Sequence, residues 1–520
     1  MSLESKSVII MAESTLIKTG IKGLDSILLG GIPRRNVILV QGVTGSGKTL
    51  MGLEFIYRGI ELYNEPGMIV VFETSPDKLI RDAAGFGWNL NQMKQEKKLQ
   101  IIFTSPQVFE EEVRSPDSLL LETAAQMGAQ RIFVDGIGLL ARGVSASEPH
   151  RDALQKLMES LNRENFTAML SLEMGTTAGS VGTVEMADFL ADTVIQIDRN
   201  RRGRRMQRSL EVLKSRGQDY EPGEHTLQII GGQGLEIFRR VQAPLRARLQ
   251  QPTSSTMRSV IGVDAIDNLI GGGVFEGSTT MVVGVSGVGK TVLGTQILRE
   301  GALRRKERGL LITLDEHPAQ IVRNAQTLGL DLEEQIADET IQILYESPQE
   351  LDIDAHYARI VRLVEERDIR RMVIDGMTSY SSAIEDIGVY RDFFHAIVAY
   401  SKQRLMTTFF NYENPEFLGI SSYMPEFPVC SIVDNLILMS LVEINNSLHR
   451  CISVVKSRGS KHSFDTREFV IGQGGISLVP LVKEKVPALP LQSYSSLLGR
   501  APTRFSVPGH TNGAALLDTE

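Results

Sequence analysis

Two cysteines, Cys430 and Cys451, are all that this 520-residue chain contains. That is too few for a disulfide framework or a four-cysteine metal site, so both are expected to be reduced thiols. No run of about 18 or more apolar residues occurs, which excludes a membrane-spanning helix. The N-terminal residues lack the basic, apolar and small-residue succession of a signal peptide, so a cytoplasmic location is expected. Neither sign of charge dominates: the net charge of −8 gives no global pull towards nucleic acid or an anionic membrane. With 42% hydrophobic and 23% charged residues, the composition is that of a globular protein. The length is too great for one core and suits two domains of about 240 residues each.

What the chain does have is one nucleotide-binding signature, twice. Gly42-Val43-Thr44-Gly45-Ser46-Gly47-Lys48-Thr49 and Gly284-Val285-Ser286-Gly287-Val288-Gly289-Lys290-Thr291 both fit the G-x-x-x-x-G-K-[ST] phosphate loop, at an offset of 242 residues. Each follows an apolar run that reads as a strand (Val37-Ile38-Leu39-Val40 and Met281-Val282-Val283) and precedes a helical pattern. In such a loop the backbone N–H groups turn inward onto phosphate oxygens, the lysine reaches the β- and γ-phosphates, and the threonine hydroxyl ligates Mg²⁺. Gly45, Ser46, Gly47, Lys48 and Thr49, with Gly287, Val288, Gly289, Lys290 and Thr291, are therefore the candidate ATP-binding residues, GTP being the other nucleotide the pattern admits.

The offset runs through the whole sequence. Gly20-Ile21-Lys22-Gly23-Leu24-Asp25 returns as Gly262-Val263-Asp264-Ala265-Ile266-Asp267, and Lys214-Ser215-Arg216-Gly217 returns as Lys456-Ser457-Arg458-Gly459. A tandem duplication follows, with an N-terminal extension over 1–16, a first domain over 17–240, a linker over 241–258, a second domain over 259–484 and a flexible tail over 485–520. Short β-rich runs alternate with helical patterns, for example over 77–86 and 117–126. That alternation predicts an α/β fold with a mostly parallel sheet covered on both faces. Residues 193–197 and 209–213 flank an arginine-rich turn and suggest an antiparallel addition.

Acidic residues close strands opposite each loop. Asp135 follows Ile132-Phe133-Val134, Asp375 follows Met372-Val373-Ile374, and a glycine follows each. They suit the hydration shell of Mg²⁺ alongside Thr49 and Thr291; the plainer reading is a helix N-cap. Glu73, after Val70-Val71-Phe72, is a candidate to orient or deprotonate an attacking water, or again a cap.

Taken together, the duplicated loop, the G-[IV]-x-x-[LI]-D run before it, the acidic strand ends and the K-x-R-G near each half's end resemble the KaiC family of circadian clock proteins over roughly residues 16–480. The resemblance implies two tandem RecA-like P-loop domains and a two-tiered homohexamer with ATP between subunits. Its first ring would be a slow ATPase, and its second a serine/threonine autokinase as well. Lys214, Arg216, Lys456 and Arg458 match residues that reach a neighbour's γ-phosphate, where a cation supplied in trans offsets developing charge.

The sequence also departs from the family. The catalytic glutamate doublet reads Glu73-Thr74 in the first half and Asp315-Glu316 in the second. The acceptor stretch reads Val429-Cys430-Ser431-Ile432, so the family's two adjacent hydroxyls are reduced to one. This argues against a two-site cycle and leaves Ser431 as the candidate phosphoacceptor, with Thr407, Thr408, Ser421 and Ser422 weaker. The altered tail argues against dependence on a KaiA-like partner; a KaiB-like partner on the first ring stays open, near Glu110-Glu111-Glu112. The competing reading is a RecA- or RadA-like ATPase acting on single-stranded DNA through Arg199, Arg201, Arg202, Arg204, Arg205 and Arg208. The second half lacks a matching basic run and no aromatic residue interleaves these arginines, so the family-like reading, in which they pair with carboxylates across the subunit interface, is the better one.

Overall fold

The computed structural model describes residues 16–115, 118–140, 149–174, 187–202, 205–242, 255–413, 429–444 and 446–479. Residues 243–254 of the proposed linker, Ser421, Ser422, the segment before Val429 and the tail lie outside these, as does the side chain of Cys430. Two nine-stranded sheets dominate. Numbering only their strands, the first holds β1 Val37–Gly42, β2 Gly67–Val71, β3 Leu99–Phe103, β4 Arg131–Asp135, β5 Thr167–Glu173, β6 Thr193–Arg202, β7 Arg205–Ser215, β8 His225–Ile230 and β9 Gly234–Phe238. The second holds β10 Thr279–Gly284, β11 Gly309–Thr313, β12 Ile341–Tyr345, β13 Arg371–Asp375, β14 Thr407–Glu413, β15 Asn435–Ile444, β16 Ser447–Ser457, β17 Arg467–Gly472 and β18 Gly475–Leu478.

Their orders are the same. The first runs β9-β8-β7-β6-β1-β5-β4-β2-β3 and the second β18-β17-β16-β15-β10-β14-β13-β11-β12. Six strands of each are parallel and three antiparallel strands extend one edge. This is the α/β architecture expected from the alternating pattern. β1 and β10 lie at the centre with all six residues buried, because each is covered on both faces. Cores on the two faces of the first sheet centre on Phe55 and Phe133, and on Leu39 and Phe109. Among the described residues no helix is long and apolar enough to cross a membrane.

The expected helices form with shifted ends. Pro76–Ala84 starts on a proline, and Leu119–Met127 starts after Ser118, whose hydroxyl accepts the Leu121 N–H at 3.1 Å. The basic turn joins two long strands, β6 and β7, which pair from Thr193 opposite Ser215 out to Arg202 opposite Arg205.

The helix after each loop meets its own sheet's last hairpin through one polar side chain. From the helix Lys48–Tyr63, Glu54 accepts the Leu235 N–H at 2.7 Å; from Lys290–Glu300, Gln296 accepts the Ile476 N–H at 2.9 Å. Glu54 is 1% exposed, and burial pushes its carboxyl up to about 7 against the Leu235 bond and Arg58. A folded-state value above the ordinary one means that the folded chain holds the proton more tightly. The associated stability is full below the ordinary carboxylate range and is lost as pH rises through about 7. Glu54→Gln keeps the acceptor and copies the second half. It should raise the melting temperature at pH 8, by up to about 3 kcal/mol in stability, and have little effect at pH 4. A lower melting temperature at pH 8 would contradict this account.

The two halves touch through the helix Ile353–Arg367. At its start Asp352 caps Ala355 N–H at 3.2 Å and accepts from Gln207 at 2.9 Å, while Asp354 accepts the Thr226 hydroxyl at 3.0 Å and the Val241 N–H at 2.9 Å. Further along, Arg362 pairs with Glu236 at 3.1 Å. Val241 is buried in the second half's core, so the chain is fixed there.

Candidate nucleotide sites

Each phosphate loop ends on a glycine with φ near 115°, Gly47 at 117° and Gly289 at 115°, a conformation that penalises any Cβ. That residue caps the helix beginning at Lys48 or Lys290, so unpaired N–H groups of the first turn face the loop's concavity, the arrangement that holds anions. Lys48 Nζ donates to Gly42 O and Val43 O, both at 2.8 Å; Lys290 Nζ donates to Gly284 O at 2.9 Å and Val285 O at 2.8 Å. Burial lowers the pKa of both lysines, opposed by Glu173 and Asp135 in the first site and by Glu413, Asp375 and Asp315 in the second. Inside the first loop the Ser46 hydroxyl is buried with no hydrogen-bond partner among the described residues; Val288 fills the matching position in the second.

The expected acidic partners stand beside the loops. Thr49 Oγ1 donates to Asp135 at 3.0 Å, and Thr291 Oγ1 donates to Asp375 at 2.7 Å. Both aspartates end strands two positions from the loop strand, β4 and β13, so sheet order fixes these pairs. The aspartates are not helix caps by side chain: Gly136 and Gly376 precede the following turns. Burial raises the Asp375 pKa, against its bonds from Thr291 and Asn411.

The family model described as ATPase: KaiC matches residues 17–242 and, a second time, residues 260–483. The chain belongs to the KaiC family of ATPases. Curated relatives agree. It is 31% identical over 497 residues to the circadian clock oscillator protein KaiC of Picosynechococcus sp., covering 94% of this chain and 93% of the relative. The KaiC of Thermostichus vulcanus is 31% identical over 511 residues, 97% of this chain and 95% of its own. KaiC 1 of Synechocystis sp. is 30% identical over 497 residues, 94% of this chain and 92% of its own.

Against this KaiC frame, the remaining candidates divide. Glu73 is exposed just past β2, and no hydrogen bond from a described residue reaches it. Asp315 instead accepts from the Ser379 hydroxyl. Glu316 is half-buried, and burial followed by the charges of Asp375 and Asp315 raises its pKa. The K-x-R residues do not approach their own loops. Lys214 Nζ donates to Asp188, Phe189 and Ala191 carbonyls, and Arg216 to Phe189 O at 3.0 Å. Lys456 donates to Val433 O at 2.7 Å and Arg458 to Ser431 O at 2.6 Å. A β-bulge between Val194 and Ile195 recurs between Leu436 and Ile437, and it sits opposite these basic pairs. The shift falls just before Lys214 and Lys456, which still pair with Val194 and Leu436, and a bulge there re-aims neighbouring side chains.

Sequence reasoning missed several residues that line the sites. Ser171 Oγ donates to Asp135 at 2.5 Å and accepts the Gly136 N–H at 2.7 Å; Asn411 donates to Asp375 at 2.8 Å. Glu173 accepts from Thr44, and Glu413 N–H donates to Thr378 Oγ1 at 3.0 Å. All lie at the ends of β5 and β14, next to the loop strand. The repeat could have found them, since two residues short of the 242-residue offset Ser171-Leu172-Glu173 aligns with Asn411-Tyr412-Glu413. Arg199 was read only as part of a basic turn, yet a Cβ built at Gly45 would lie 3.5 Å from its guanidinium. Arg205 pairs with Glu350 at 3.8 Å within the same chain. Arg204 lies outside the described residues. Cys451 is a buried free thiol whose pKa burial raises.

Proposed function

We propose that each half binds Mg²⁺-ATP at its phosphate loop and hydrolyses it between subunits of a two-ringed homohexamer, and that the second ring also phosphorylates Ser431. The observation that carries this reading is the repeated Lys–Thr–Asp geometry: two loops, each with its lysine folded across it and its threonine hydroxyl on a strand-end carboxylate. Direct contact of Thr49 with Asp135, and of Thr291 with Asp375, fits a threonine that ligates Mg²⁺ while the aspartate orients the ion's water shell. Thr49 with Asp135, and Thr291 with Asp375, would hold Mg²⁺, whose charge would offset the negative charge that develops during phosphoryl transfer.

The chain's own groups do the rest. Lys48 and Lys290 exchange their backbone carbonyl partners for phosphate oxygens. Glu73 in the first site, and Asp315 with Glu316 in the second, would take the proton from the attacking oxygen. Lys214, Arg216, Lys456 and Arg458 stand at strand ends and bond carbonyls outside their own loops, which suits cations that act in trans. Arg458 also holds the carbonyl of Ser431, so a cation delivered to a neighbour's phosphate carries the candidate acceptor with it. In that step the Ser431 Oγ–P bond forms, the bond from phosphorus to ADP breaks, and the hydroxyl proton passes to the neighbour's carboxylate.

A role in timing or signalling is proposed by analogy with relatives named as clock oscillator proteins. A KaiB-like partner fits this reading; a KaiA-like one is not part of it. Arg205 pairs with Glu350, which favours ion pairing over a single-stranded DNA channel at that position. The test is intact and peptide mass spectrometry after incubation with Mg²⁺-ATP, beside Lys290→Ala. Phosphate on Ser431 that is missing from the variant is the expected result. ADP formation without phosphoserine would reduce the protein to a hexameric ATPase.

A further inference from the structure

We propose that Ser379 is a positioning residue that parks Asp315 out of use and so holds down turnover at the second site. The inference rests on the reading of Asp315 as the carboxylate that accepts a proton from the attacking water or hydroxyl. The two halves supply the comparison within one chain. The turn after each strand-end Asp-Gly has the same backbone conformation, with φ and ψ of 86° and 43° at Gly136, and 84° and 41° at Gly376. Leu139 N–H donates to Gly136 O at 3.0 Å, and Ser379 N–H donates to Gly376 O at 2.9 Å. Leu139 and Ser379 therefore occupy the same place.

They treat the space above the glycine in opposite ways. A Cβ built on Gly136 would meet only Leu139 Cδ1, at 3.6 Å. The first half's carboxylate, Glu73, is exposed, as Asp315 is, but no hydrogen bond from a described residue reaches it. A Cβ built on Gly376 would lie 2.2 Å from Asp315 Oδ2. The carboxylate has moved into the space that a leucine fills in the other half. The Ser379 hydroxyl donates to its second oxygen, Oδ1.

Both oxygens of Asp315 are engaged at this turn, one by a hydroxyl and one against the bare Cα of Gly376. When Asp315 takes a proton its charge is neutralised, the charge-assisted bond from Ser379 weakens, and that loss adds to the barrier at every turnover. The worth of one hydrogen bond to a carboxylate is roughly fivefold or more in rate. The effect falls on kcat: neither Ser379 nor Asp315 lies in the phosphate loop, so ATP affinity should not follow.

The experiment uses the full-length chain with Glu73→Gln to silence the first site, and measures Mg²⁺-ATP turnover across substrate concentrations. Ser379→Ala should raise kcat roughly fivefold or more with KM unchanged, and Ser379→Leu, which copies the first half, should do the same. Ser379→Thr keeps the hydroxyl and should stay near the parent. Adding Asp315→Asn should remove the gain. Thermal melting checks the leucine variant; if it fails to fold, the alanine variant carries the test. An unchanged or lower kcat in Ser379→Ala, with Asp315→Asn alone still slow, overturns the latch and leaves the role of Asp315 standing. Full turnover in Asp315→Asn overturns both.

Discussion

Alanine at Lys48 and Lys290 together should reduce ATP turnover at least about a hundredfold, whereas either change alone should remove only its own site's share. Each lysine crosses its loop to two backbone carbonyls. Those carbonyls face the chain, so the ammonium is the part free to exchange onto phosphate. Burial lowers the pKa of both, which means that holding this charge is already costly and that nearby carboxylates offset the cost. Removing the lysine leaves Asp135 or Asp375 facing a polyphosphate with less opposing charge. The penalty then grows as negative charge shifts during transfer, because fixed donors are worth most where charge develops. ADP formation by the two single variants and the double variant checks this. Turnover in the double variant near that of the parent would mean that neither loop is the site of hydrolysis.

The parts of the site legible in the sequence are those that one short stretch of chain builds alone. Gly47-Lys48-Thr49 and Gly289-Lys290-Thr291 form helix starts from local residues, so their spacing already states their geometry. Asp135 and Asp375 were legible one step further out, as charged ends of apolar runs. Which strands would neighbour β1 was not: nothing local says that β5 and β6 flank it. Ser171 and Asn411 reach the aspartates only through that strand order. The repeat offset carried more than was taken from it. Its matching columns reveal shared devices, such as Gly59 and Gly301. Its mismatched columns reveal differences in chemistry: Glu54 against Gln296, Leu139 against Ser379, Ser46 against Val288. Each mismatch falls where the structure gives the halves different polar contacts.

The largest stability effect should come from the first residue of β4. Arg131 is fully buried, and its guanidinium bonds Glu65 at 2.5 Å, Phe55 O at 2.9 Å and Lys18 O at 2.7 Å. Burial lowers its pKa against the pull of Glu65. A Cβ on Gly59 would meet it at 2.5 Å, so the helix has given up a side chain to admit it. The second half repeats the arrangement: Arg371 is 1% exposed, bonds Glu307, Val260 O and Ile297 O, and lies over Gly301. In each case one side chain ties the strand that ends in the site's aspartate to the helix that starts at its lysine. Arg131→Met removes the cation and leaves Glu65 and two carbonyls short of donors. Breaking a buried pair from one side costs about 3–5 kcal/mol. The lower end is expected, since Arg34 still reaches Glu65 at 2.9 Å. For a domain of this size that corresponds to a fall of about 10 °C in melting temperature, read by calorimetry on the full chain. Arg131→Met with Glu65→Leu should recover part of the loss, because no charge is then left buried alone. If the double variant is less stable than the single one, the carbonyl bonds rather than the ion pair hold this joint.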